Sequence, residues 1–87
     1  MEINDKLDRE IMDIVRKLNW EIKEVNLELR TDYFTLYNPN TFNIQILDIK
    51  KAEVYMFLID LKDMENVDDI EIFIRKEING VLIKQHD

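Results

Sequence analysis

Residues 60–71 hold six carboxylates, Asp60, Asp63, Glu65, Asp68, Asp69 and Glu71, against one base, Lys62. The segment nets −5, while residues 14–59 net zero and the whole chain −7. Three readings fit such a cluster. Asp68 and Asp69 can sit in the first turn of a helix, where carboxylates suit the dipole, with the other acids solvating a loop. The cluster can imitate the phosphates of a nucleic acid and enter a basic groove on a DNA- or RNA-handling protein. A calcium loop is the third reading, but the central glycine and the alternating acids of an EF-hand are missing.

The remaining inventory for chemistry is thin. Serine and cysteine are absent, so two of the usual nucleophiles and every thiolate metal ligand are missing. The one histidine, His86, stands next to the last residue, where a general base is poorly held. The one glycine, Gly80, cannot make a phosphate-cradling loop. No enzyme activity, cofactor or metal is expected. Among the aromatics, Tyr33, Phe34, Tyr37 and Phe42 flank one turn. Phe34 falls on the more polar face of that hairpin and is the candidate for partner contact.

Hydrophobic spacing outlines the elements that must carry these residues. Ile3, Leu7, Ile11, Ile14 and Leu18 recur at helical intervals, and Asn19 reads as a stop. Beyond it, Val25, Leu27 and Leu29 alternate as a strand would. Trp20 and Ile22 alternate in the opposite phase, which requires a bulge near Lys23 and Glu24. Continuation of the helix to Arg30 is the rival reading. A turn at Asn38-Pro39-Asn40-Thr41 predicts a hairpin with Tyr37 opposite Phe42, Thr35 opposite Ile44 and Tyr33 opposite Ile46.

The run from Val54 to Ile59 is apolar on both strand phases. Such a strand is covered on both faces or leaves an apolar patch, and a homodimer across that face is the simplest remedy. Asn66 caps a last helix in which Val67, Ile70, Phe73, Ile74 and Ile78 share a face and Ile72 is the outlier. Asn79-Gly80 then ends it, and Val81 to Lys84 forms a short strand or packed tail. A hairpin over 67–84 is the alternative, since Asn-Gly is also a strong two-residue turn. The expected architecture is a single α+β domain over 1–87. It has an N-terminal helix, a mainly antiparallel sheet of about four strands and a C-terminal helix.

Charge and composition narrow the partners. A net charge of −7 argues against direct contact with nucleic acid or anionic membranes and favours a basic protein. The lack of an apolar leader and of cysteine suggests the cytoplasm. Thirteen isoleucines, eight asparagines and eight lysines beside single Ala, Gly and Pro residues indicate an AT-rich genome, as in a low-GC bacterium or its phages. A short, acidic, cysteine-free α+β chain of this bias resembles the small phage-encoded inhibitors of host defence. The anti-CRISPR proteins are their best-known group, and some of them block Cas effectors by imitating DNA. The resemblance is one of format, carried by the 60–71 cluster and the acidic first helix. It implies a non-catalytic inhibitor, acting in the bacterial host's cytoplasm on the basic groove of a nucleic-acid-binding protein, with a Cas effector the leading target. A structural dimerisation module or a toxin-neutralising immunity protein are the alternatives.

Overall fold

The structure, a computed structural model, describes residues 1, 4–33 and 40–85. Helix α1 (Asp5–Ile22) leads through a 3-10 turn at Lys23–Val25 into strand β1 (Leu27–Tyr33). Strands β2 (Thr41–Asp48) and β3 (Glu53–Asp60) follow, then a 3-10 turn at Leu61–Asp63 and helix α2 (Val67–Gln85). The three strands pair antiparallel in the order β1-β2-β3. The arrangement is α+β as the spacing predicts, with three strands among the described residues where about four are expected. Ile3, Phe34, Thr35, Tyr37, the Asn38-Pro39 half of the expected turn and His86 lie outside the described residues.

Both helices pack on one face of the sheet. α1 buries Leu7, Ile11, Ile14, Val15, Leu18 and Ile22, and α2 buries Ile70, Ile74, Ile78 and Val81. They enclose one core with Leu27, Leu29, Phe42, Ile44, Ile46 and Ile59. Asn4 starts α1 by accepting the Leu7 N–H at 2.8 Å.

Four local expectations need correction. Asn19 does not stop α1, which runs on to Ile22, so Trp20 and Ile22 are helical and no bulge forms at Lys23–Glu24. The chain leaves the helix at Asn26, whose φ of 60° is left-handed, a conformation that asparagine tolerates better than most residues. The hairpin register also differs: Tyr33 faces Phe42, Thr31 faces Ile44 and Leu29 faces Ile46. That is a slip of four residues. Because four is even, every β2 side chain keeps its expected face, and the slip instead brings Leu27 and Leu29 onto the core. It also merges two expected strands into one. Last, Gly80 does not end α2: it has no positive φ, and the helix continues to Gln85 in place of a terminal strand.

Among the described residues no helix covers the opposite face of the sheet. Leu47 and Gln45 are half-buried there, and Asn43, nearest the β1–β2 connection, is buried. On β3 the outward residues Val54, Met56 and Leu58 are 56%, 64% and 61% exposed. The apolar run of β3 thus splits, with Tyr55, Phe57 and Ile59 turned to the helices and the other three to solvent.

Candidate partner-binding site

The acidic segment joins the end of β3 to the start of α2, and two of its six carboxylates hold that junction together. Asp60 ends the strand and accepts the Lys62 N–H at 3.0 Å. Asp69 accepts the N–H groups of Glu65 (2.8 Å) and Asn66 (3.2 Å), while the Asn66 side chain accepts the Asp69 N–H at 3.2 Å. This reciprocal pair satisfies donors at the entry to α2 that would otherwise be orphaned.

Glu71 belongs to a different structure, the ionic seam between the two helices. It accepts from Arg75 Nε at 3.0 Å and from Lys17 Nζ at 3.2 and 3.3 Å. The Arg75 guanidinium also grips Glu21 of α1 through two bonds of 2.8 and 3.2 Å. Arg75 therefore holds the Glu21 and Glu71 carboxyls below the usual glutamate range, with Lys17 adding to the effect. The two glutamates in turn raise the pKa of Arg75.

Asp63, Glu65 and Asp68 remain. They are exposed, and among the described residues none has an ion-pair partner. Asp63 and Glu65 line a shallow groove together with Met64, Asp69, Ile72, Phe73 and Lys76. The segment thus offers three free carboxylates beside an apolar strip, whereas Asp60, Asp69 and Glu71 are engaged within the protein. Phe34, the aromatic candidate, lies outside the described residues.

The sequence placed Asp68 and Asp69 in the first turn of the last helix but did not show the helix seam held by Glu71, nor that Asn19 clamps the edge of β1. Its Nδ2 donates to the Leu29 carbonyl at 3.1 Å and its Oδ1 accepts the Leu29 N–H at 2.6 Å. The two-phase apolar run did signal the exposed side of β3. Among the described residues no three His, Cys, Asp or Glu side chains converge as a metal site, and no helix is long and apolar enough to cross a membrane. No protein-family model, curated protein or solved structure matches the chain.

Proposed function

We propose that this protein is a non-catalytic inhibitor that binds the basic groove of a nucleic-acid-handling enzyme through its acidic end. The observation that carries the reading is the state of Asp63, Glu65 and Asp68. All three are exposed without an ion-pair partner among the described residues, on a segment anchored at both ends by Asp60 and Asp69. Anchored, unpaired carboxylates suit a partner whose Arg and Lys normally hold phosphate, because they are already placed and need not break an internal pair. The neighbouring Met64, Ile72 and Phe73 add apolar contact beside the charges. Within this reading a Cas effector, whose basic residues hold a duplex or read a protospacer-adjacent motif, is the leading target.

The test is capture from a bacterial host lysate with the parent chain and with Asp63→Asn/Glu65→Gln/Asp68→Asn. These substitutions leave the Asp60 and Asp69 anchors intact. The expected outcome is a nucleic-acid-binding protein that duplex DNA displaces and that the triple variant binds at least ~30-fold more weakly, the scale of paired interfacial charges. A folded triple variant that holds the same partner equally well overturns the reading. A second reading, a structural dimerisation module without inhibitory role, is favoured by the outward Val54, Met56 and Leu58.

A further inference from the structure

The hydrogen-bond polarity of the sheet determines what the β3 edge offers. Leu29 spends its N–H and C=O on Asn19, so both point away from β2, and Leu29 and its opposite number Ile46 do not bond each other. Ile46 therefore directs its backbone groups to Tyr55 of β3. The far end of the ladder agrees, since the Leu61 N–H bonds the Asn40 carbonyl at 2.7 Å. The odd-numbered residues of β3 are thus turned to β2. Val54, Met56 and Leu58 present both N–H and C=O to the free edge. Among the described residues no side chain bonds these groups.

Edge strands of soluble proteins are normally blunted by a proline, a bulge, a central charge or a covering element. Between Val54 and Ile59 the sequence has no proline and no charge, and the ladder to β2 has no bulge. The helical layer beneath the edge is open as well. α2 runs antiparallel to β3, with Phe73 against Phe57 (centroids 6.4 Å apart) and Lys84 over Tyr55 (4.9 Å). Between them, one turn before Lys84, is Gly80, where an added Cβ would meet nothing within 4 Å.

We propose that β3 pairs antiparallel with β3 of a second copy of this chain about a two-fold axis at Met56, making one continuous six-stranded sheet. The register is self-complementary. Val54 exchanges hydrogen bonds with Leu58 of the second copy, Met56 with Met56, and Leu58 with Val54. All the outward backbone groups at those three positions are then satisfied. Each exposed side chain gains an apolar cross-strand neighbour on the same face. The charged strand ends do not collide, because Glu53 lies opposite Ile59 and Asp60 opposite Ala52.

The same axis fits the helices. Phe73, Glu77, Gly80 and Lys84 form a stripe with spacings of four, three and four, symmetric about its midpoint. That midpoint lies near Met56, because Glu77 and Gly80 line one groove with Tyr55, Met56 and Phe57. Two-fold apposition sets Glu77 of each copy beside Gly80 of the other and within one helical turn of its Lys84. A base then flanks each acid, and the missing Cβ leaves room for the approach. This surface shares Phe73 with the acidic end but none of the residues changed in either test, so either proposal can fail alone.

The test is a cysteine scan, which the chain permits because it has no cysteine of its own. Under mild oxidation Met56→Cys is expected to give a covalent dimer, since its sulfur would lie on the axis. Gln45→Cys, one strand further in, is expected to give no covalent dimer. Sedimentation of the parent should give twice 10.6 kDa at tens of micromolar. Met56→Glu, a change at an exposed position, should weaken association at least tenfold by facing two carboxylates across the axis. A parent that sediments as 10.6 kDa at every concentration overturns the proposal. Crosslinking through Gln45→Cys, or a Met56→Glu variant that associates as well as the parent, does so too.

Discussion

The two edges of this three-stranded sheet are treated in opposite ways. On β1 the side chains of Glu28 and Arg30 alternate with buried leucines, and Asn19 of α1 occupies both outward backbone groups of Leu29. An added strand would meet charge and would find those bonds already made. On β3 the middle of the strand has no charge, and no side chain among the described residues reaches its outward backbone. The physics of an edge is the same on both sides. A chain that closes one and leaves the other bare has an asymmetry that pairing can use.

The largest expected effect comes from opening the closed edge. Asn19→Leu retains helix propensity and bulk but leaves the Leu29 N–H and C=O without partners in a part-buried position. Loss of two such bonds should cost about 2–3 kcal/mol in urea unfolding. The contrast between the edges should also narrow. If the Asn19→Leu midpoint matches that of the parent, the clamp is incidental and β1 is protected by its charges alone.

A smaller effect distinguishes how the two edge strands begin. Each is entered through a left-handed residue, Asn26 before β1 (φ 60°) and Ala52 before β3 (φ 53°). Asparagine visits that region readily and alanine pays for its Cβ. Asn26→Ala should therefore lose about 1 kcal/mol, and Ala52→Gly should gain up to about 1 kcal/mol. Thermal melts of the two variants should move in opposite directions, and movement in the same direction contradicts the assignment.

What the sequence made legible follows from range. The α1 stripe, the faces of β2 and the acidic start of α2 depend on residues within one or two turns of each other, where spacing is informative. Asn19 reads as a stop because a polar residue after an apolar stripe does so locally, and its partner Leu29 is ten residues away. The hairpin slip escapes for a related reason. A four-residue change of register preserves every face, so the alternation in β2 fits both pairings. Gly80 misleads because a glycine ends a helix only when it turns left-handed. An exposed glycine that stays helical costs only about 1 kcal/mol. The acidic cluster is visible as composition. Its division into anchors, a helix seam and free carboxylates depends on Lys17 and Arg75, and Lys17 is 54 residues from Glu71.

The smallest effect tests the link between the two halves. α1 lies against β1 and α2 against β2, with its Phe73 and Lys84 side chains reaching β3, and Arg75 ties the helices by gripping Glu21 and Glu71 together. Both glutamates have lowered pKa values in the folded protein. A lowered carboxyl pKa adds stability that is present above the unfolded value, about 4.3 for glutamate, and is lost as pH falls through the folded value. The parent should thus lose stability between about pH 5 and pH 3. Arg75→Met removes the cause of both shifts and leaves the Asp69 and Asp60 anchors in place. The difference between the two urea midpoints therefore reports the seam. That difference should favour the parent at pH 7 and shrink as the pH falls to 3. Because the pairs are largely exposed, it should also shrink in 1 M salt at pH 7. Parallel curves for the two proteins across this range would mean that Arg75 stabilises the helix pair by packing its methylenes and not by charge.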